Sequence, residues 1–224
     1  MSCIINIDTS EATAHVTIAK DGMLLQSLQH AAQKDHAAFV QTAIQQLLKH
    51  TALSFTDIDA VAVTAGPGSY TGLRVGMASA KGLCYALNKS LITLNTLEVL
   101  TKAVLLQQFG SIEEMLFCPM MDARRMEVFT AIYNQSLTAI LNPAALVLNE
   151  DSYAAYLNRG NIVFFGSGAA KWQSLCKNTN ASFTTISNFT EAMAALSFIK
   201  WQQKSFADLA YATPFYIKEF ITNT

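Results

Sequence analysis

Three glycines between an apolar run and a helical segment have the spacing best suited to chemistry in this sequence. The run covers residues 58–64, the segment covers 71–87, and Gly66, Gly68 and Gly72 join them. Such glycines let backbone N–H groups approach a phosphate, which a helix N-terminus also attracts. The spacing is one residue longer than a dinucleotide fingerprint, and the missing G-K-[ST] excludes a P-loop. A tight turn into a closely packed helix is the alternative.

Two aspartates could position a metal–phosphate group at such a turn. Asp8 ends the first apolar run of the chain, and Asp122 ends a later one. A carboxylate can hold Mg²⁺ together with substrate phosphates; the alternative is a carboxylate that only caps its own turn. Bulky residues (Arg124, Arg125, Met126) follow Asp122 and weaken the case for a nucleotide there. The candidate phosphate site therefore consists of Asp8, Thr9, Gly66, Gly68 and Ser69.

The remaining reactive side chains predict neither a catalytic residue nor a metal ligand. Ser69 and Ser167 lie beside glycines but outside a G-x-S-x-G motif. The four cysteines lack C-x-x-C spacing, and Cys84 and Cys118 lie in apolar runs where we expect them to be packed. The histidines form no HxxxH or HExxH pair, so no zinc site is predicted. We expect all four at the surface: His15, His30, His36 and His50.

The composition limits the possible partners. Of 224 residues, 51% are hydrophobic and 14% charged, with a formal net charge of -1. The charged fraction is well below the roughly 25% usual for soluble domains, which indicates a large core or an apolar surface covered by a partner. No basic stripe marks a nucleic-acid binder that acts alone. Neither a signal peptide nor a long apolar stretch is present, so we expect no membrane contact and a cytoplasmic location.

The elements that would position these residues form two similar halves. In the first we predict strands over 3–7, 15–19, 23–28, 58–64 and 91–94, and helices over 36–50, 71–87 and 96–108. In the second we predict strands over 116–121, 128–133 and 162–165, and helices over 151–157 and 190–203. Each half opens with a strand ending in aspartate and then a second strand. This βββαβα-type repeat predicts an α/β protein of the actin-like ATPase fold with mixed sheets, in halves 1–100 and 101–224.

The helix predicted over 71–87 carries two rows of small residues. One row is Gly72, Gly76 and Ala80, and the other is Ala78, Gly82 and Ala86. Residues four apart share a helix face, and glycine costs a helix up to about 1 kcal/mol relative to alanine. The rows therefore predict that another element packs very close to this helix.

Four segments of the chain resemble the bacterial TsaB (YeaZ) family. GPGSYTGLRVG is similar to the family's GPGSFTGLRIG, and IDTS at the start matches the family's IDTS. DARRMEV resembles DARRGEV with Met126 in place of Gly, and PFYIK resembles PxYLR with Lys218 in place of Arg. Ala37 stands where Ser is common in the family. The segments keep their order and spacing along the chain, which is therefore identified as a member of this family.

The resemblance implies a scaffold or activator without catalytic activity. TsaB proteins are paralogues of TsaD, the enzyme that transfers threonylcarbamoyl onto N6 of adenosine 37 in tRNAs reading codons that begin with A. TsaD has an HxxxH metal motif after its own GPG segment, and Thr96 and Leu100 fall at its two histidine positions. The resemblance thus implies that the metal ligands are lost while the fold is kept.

The resemblance also implies the partners. TsaB binds TsaD through two helices, which fall here at 36–50 and 71–87. The residues expected at this interface are His36, Val40, Ala43, Ile44, Leu47, Gly72, Leu73, Gly76, Met77, Ala80 and Leu83. TsaE would bind through TsaD, a second copy of the chain could replace an absent TsaD, and tRNA would be met only through the complex. We expect no cofactor on this chain alone; ATP or ADP at the complex interface stays open.

The residues of the chain leave two other functions open. An actin-like ATPase or kinase would use Asp8, Gly66 and Gly68. A glycoprotease-like metallopeptidase is the less favoured, because it requires the metal ligands that the chain lacks.

Overall fold

A computed structural model describes residues 1–31, 35–107 and 115–218, which divide into two compact units. The first unit consists of Met1–Val99 and Thr190–Phe215, and the second of Leu100–Phe189 and the chain from Tyr216. The sequence placed everything after residue 100 in the second half. The structure corrects this assignment for the segment Thr190–Phe215. It belongs to the first unit because its backbone pairs there: the Phe215 N–H donates to the Ala65 carbonyl at 2.7 Å.

One mixed sheet of five strands forms the centre of the first unit. Its strands are β1 (Cys3–Asp8), β2 (Ala14–Lys20), β3 (Met23–His30), β4 (Ala60–Gly66) and β5 (Ser90–Asn95). They lie in the order β3-β2-β1-β4-β5, with β1 antiparallel to β2 and parallel to β4. Every residue of β1 and β4 is buried, as expected for continuous apolar strands in the middle of a covered sheet.

Three helices alternate with the later strands: α1 (His36–His50) follows β3, α2 (Tyr70–Leu87) follows β4, and α3 (Thr96–Leu105) follows β5. The apolar face of α1 is buried against the sheet. Asp35 precedes α1, but its side chain makes no capping hydrogen bond. The predicted end of α3 at residue 108 lies outside the described residues.

The second unit repeats this sheet. Its strands are β6 (Leu116–Asp122), β7 (Glu127–Tyr133), β8 (Ala139–Val147), β9 (Ile162–Phe165) and β10 (Ala181–Phe183). These strands lie in the order β8-β7-β6-β9-β10. The pairs on the β7 side of β6 are antiparallel and those on the β9 side are parallel, so the second sheet matches the first strand for strand. The helices that follow in the chain are α4 (Ala154–Leu157) and α5 (Ala169–Gln173) in this unit, and then α6 (Phe189–Gln202), which belongs to the first unit from Thr190 onward. The predicted duplicated α/β architecture is confirmed.

The sequence did not predict β8, β10 or α5. Pro143 lies inside β8 and reads as a turn signal, yet an edge strand tolerates proline because one side of its backbone is unpaired. The other two elements are only three and five residues long, too short for a periodic pattern. All three complete the second sheet or border it.

The first small-residue row of α2 packs against the end of β1. A Cβ atom on Gly72 would collide with the Thr9 carbonyl oxygen, and one on Gly76 would collide with Thr9 Oγ1. The Thr9 hydroxyl, fully buried, donates to the Gly72 carbonyl at 2.7 Å. The close contact that the glycines predicted is therefore made within the chain. Gly82, in the second row, has no atom within 4 Å of the position of an added Cβ.

Among the residues that the structure describes, no helix is both long enough and apolar enough to cross a membrane.

The contrast between Gly72 and Gly82 gives a matched test of this packing. We expect Gly72→Ala to lower the free energy of unfolding by about 1–3 kcal/mol, because backbone must move to admit the methyl group. Gly82→Ala adds the same methyl group in open space and should raise stability by up to about 1 kcal/mol through helix propensity. Urea unfolding of the full chain measures both; equal midpoints for the two variants would contradict the packing described.

Candidate functional site

Asp8 is positioned by the chain itself at the end of β1. It is only 2% exposed. Its Oδ1 atom accepts hydrogen bonds from the Thr64 hydroxyl at 2.5 Å and from the Ser10 N–H at 3.2 Å. The bond from Thr64 ties the ends of β1 and β4 together, and the bond from Ser10 stabilises the turn after β1. The carboxylate therefore has a structural role before any ligand is considered.

The glycine turn lies directly on the residues after Asp8. The Ser69 N–H donates to the Ser10 carbonyl at 2.6 Å. A Cβ atom on Gly68 would lie 2.5 Å from that same oxygen and 2.8 Å from Ser10 Cβ. Ser69 also caps α2, because its hydroxyl accepts from the Gly72 N–H at 3.3 Å. A phosphate could reach these amides only by separating the two turns.

The segment PFYIK covers the other side of the turn. Gly66 has φ +127°, and a Cβ atom there would collide with the Phe215 carbonyl oxygen. The structure thus brings together the residues predicted for a phosphate site, but it fills the space between them with backbone of the same chain. Asp8, Thr9 and Gly66 are buried, and Gly68 and Ser69 are partly exposed.

The two positions that correspond to metal-binding histidines lie in the first turns of α3. Thr96 is fully buried and Leu100 is 2% exposed. Asn95 begins the helix, with its side-chain oxygen accepting from the N–H groups of Leu97 at 2.9 Å and Glu98 at 3.4 Å. Burial raises the pKa of Glu98, and Lys200 partly opposes this effect. No group of three or more His, Cys, Asp or Glu side chains is arranged to hold a metal ion within the described ranges.

The structure corrects the predicted surface position of one histidine. His36 was expected at the surface but is 2% exposed, and its Nε2 atom lies 3.2 Å from the Ala12 carbonyl oxygen. It is buried because it begins the apolar face of α1. His15 and His30 are partly exposed, and only His50 is fully at the surface. Burial lowers the pKa of His15, and Asp8 partly opposes this shift.

The residues predicted for a partner interface lie on the wrong faces of their helices. Ten of the eleven are buried in the first unit: His36, Val40, Ala43, Ile44, Leu47, Gly72, Leu73, Gly76, Met77 and Ala80. Leu83 is partly buried and packs against the same core. A side chain buried in its own core cannot contact a partner without partial unfolding. The prediction selected the apolar face, which the chain's own sheet already covers.

The opposite faces of α1 and α2 are exposed beside one another. The second small-residue row, Ala78, Gly82 and Ala86, faces solvent, and Tyr85 next to it is 82% exposed. On α1, Gln41 and Gln45 are exposed, and the Gln41 side chain reaches Ser79 on α2 at 3.5 Å. We call these residues of α1 and α2 the exposed helix face. Its four-residue period was visible in the sequence, but the sequence alone could not tell which row faced outward.

The doubled sheet, with an aspartate closing the first strand of each copy, defines a protein of the actin-like ATPase fold. The family model for TsaD, described as tRNA N6-adenosine threonylcarbamoyltransferase, matches residues 29–220. The chain belongs to this family.

Individual relatives carry the name TsaB. The tRNA threonylcarbamoyladenosine biosynthesis protein TsaB of Bacillus subtilis is 30% identical over 130 residues, which cover 58% of this chain and 54% of the relative. The Escherichia coli protein of the same name is 27% identical over 180 residues, which cover 79% and 76%. The solved YeaZ structure from Pseudomonas aeruginosa has the same fold, with a TM-score of 0.77 at 22% identity over 96% of this chain and all of that one.

The chain is thus similar to proteins that carry the name TsaB (YeaZ). The alignments are partial: this chain spans about half the length of the Bacillus protein that it matches. The resemblance found in the short motifs is thereby confirmed over a longer range of the sequence.

The cysteines give a test of the conclusion that they are packed and not nucleophilic. Burial raises the pKa of Cys84 to about 11 and that of Cys118 to about 12, and it also raises the pKa of Cys3. Since the thiolate is the reactive form, iodoacetamide should modify only the partly exposed Cys176 in the native protein. Peptide mass spectrometry should find the other three modified only in denaturant. Rapid native labelling of Cys84 or Cys118 would contradict this conclusion.

Proposed function

We propose that this chain is a non-catalytic subunit that supports TsaD in the threonylcarbamoylation of adenosine 37 in tRNAs that read codons beginning with A. The observation that carries the proposal is the identity and burial of Thr96 and Leu100 at the two positions of the metal motif. Neither side chain is a metal ligand of the kind that the transferase uses, and Leu100 has no polar atom at all. The fold supplies a scaffold while the reaction takes place on TsaD.

The surface that we propose for TsaD is the exposed helix face. It combines a highly exposed tyrosine, a row of small residues and neutral glutamines. Small residues allow the backbone of a facing helix to approach closely, and tyrosine is enriched at protein interfaces. The same face would pair two copies of this chain when TsaD is absent. TsaE would join through TsaD, in the cytoplasm where tRNA is modified.

Our expectation about nucleotide binding follows from the packing of the glycine turn at residues 66–69. Because Ser10 lies against Gly68 and Phe215 lies against Gly66, we propose that this chain alone binds no ATP or ADP, and that any nucleotide lies at the interface with TsaD. The alternative actin-like ATPase predicts submillimolar ATP–Mg binding by the isolated chain and hydrolysis that Asp8→Asn abolishes. The metallopeptidase alternative predicts a stoichiometric metal in protein purified without chelator.

Reconstitution tests the proposed role directly. TsaD, TsaE, tRNA and threonylcarbamoyl-adenylate are combined with and without this chain, and modified adenosine is measured. We expect modification to depend on the chain and to be unchanged by Asp8→Asn wherever that variant remains folded. Equal modification without the chain would refute the proposal.

A substitution on the exposed helix face tests the partner surface. Gly82→Arg adds a bulky charge where no other atom lies within 4 Å of the new Cβ, so the fold should be retained. We expect it to abolish co-purification with TsaD and to convert any homodimer into monomer by light scattering. Ala155→Arg, at an exposed helix position in the second unit, is the matched control and should change neither. Wild-type association of the Gly82→Arg chain would exclude this face.

A further inference from the structure

Two motifs singled out in the sequence meet in one cavity of the second unit. The turn after Asp122 supplies Arg124, Arg125 and Met126, and the segment PFYIK supplies Lys218. The cavity has a volume of about 630 Å³, and Ala123, Glu127 and Val147 complete its lining.

We call this space the basic cavity. About 90 residues of chain separate the two motifs that form it, and the proposed function uses none of Arg124, Arg125 and Lys218.

The charges of the basic cavity are only partly balanced. Within the lining, Lys218 Nζ lies 2.5 Å from Glu127 Oε1. Outside the lining, Lys171 Nζ lies 2.7 Å from Asp122 Oδ1, at the residue that precedes the turn. The hydrogen bond from Lys171 lowers the pKa of Asp122, so this carboxylate is ionised and already paired. Arg124 and Arg125 are exposed and form no ion pair with any residue in the described part of the chain. Two guanidinium groups thus remain uncompensated.

The turn holds these two arginines in a fixed backbone conformation. Arg124 has φ 70° and Arg125 has φ 48°, a left-handed region that is unfavourable for a residue with a side chain. The Arg124 N–H donates to Asp122 Oδ1 at 2.6 Å, and the Glu127 N–H donates to the Arg124 carbonyl at 3.1 Å. Glycine or asparagine would adopt this conformation with less strain. The presence of two arginines there is therefore consistent with a role for their side chains.

We propose that the basic cavity binds phosphate groups of an RNA backbone. A guanidinium forms paired, charge-assisted hydrogen bonds to phosphate oxygens. No aromatic side chain lines the cavity among the described residues, so it offers no platform for base stacking and suits the backbone of RNA. This inference rests on the proposed function, in which the RNA is tRNA. It adds a direct contact to the expectation that tRNA is met only through the complex.

A charge-matched pair of double variants tests the inference. Arg124→Gln/Arg125→Gln removes the two free guanidiniums, and Arg159→Gln/Lys177→Gln removes two exposed cations of the same unit that do not line the cavity. Filter binding of unmodified tRNA is measured over a range of salt, for the full chain alone and for its complex with TsaD. We expect the first variant to weaken binding about tenfold at ~0.1 M salt and to reduce the slope of log K against log salt by about 2. The control should change affinity less than twofold.

Further measurements separate the possible failures. Arg124→Lys/Arg125→Lys keeps the positive charges but loses the forked donor geometry of the guanidinium groups, so this variant should bind tRNA with intermediate affinity. Circular dichroism verifies that each variant is folded. Equal tRNA affinity in the two Gln variants would overturn the inference. Weakened ATP–Mg binding with unchanged tRNA binding would assign the cavity to a nucleotide and also overturn it. Co-purification with TsaD tests the proposed function separately, because the cavity is not part of the exposed helix face.

Discussion

The contact between Thr9 and the two glycines of α2 is the constraint on which the first unit depends. Because Gly72 and Gly76 lack side chains, α2 lies directly on the end of β1, where the buried Thr9 hydroxyl donates to the Gly72 carbonyl. This contact fixes the preceding turn on Ser10 and directs the second small-residue row toward solvent. One close approach of backbone thus closes the candidate phosphate site and sets the orientation of the exposed helix face.

The duplicated fold uses corresponding turns in different ways. In the first unit, Asp8 bonds to Thr64 and Ser10, and the space beside it is filled by backbone. In the second unit, Asp122 pairs with Lys171, and the turn that follows presents two exposed arginines. The same position after the first strand is therefore a packing junction in one unit and a charged surface in the other.

Much of the fold could be predicted from sequence patterns. Apolar runs predicted β1 and β4, a helix was predicted over the full range of α1, and the strand that ends in aspartate in each half predicted the repeat. The errors have physical causes. Pro143 hid β8, whose edge position tolerates it. The segment Thr190–Phe215 was assigned to the wrong unit because its pairing partners lie far away in the sequence.

The sequence by itself determined which side chains are present: Thr96 and Leu100 carry no imidazole, and the spacing of small residues requires a close contact along α2. Only the tertiary structure decided which contact is made. Periodicity gives the faces of a helix but not their directions, and the sheet covers the face containing Gly72 and Gly76 while leaving Gly82 open. The same limit explains why His36 is buried and why Lys218 meets Glu127: both depend on which surfaces the fold brings together.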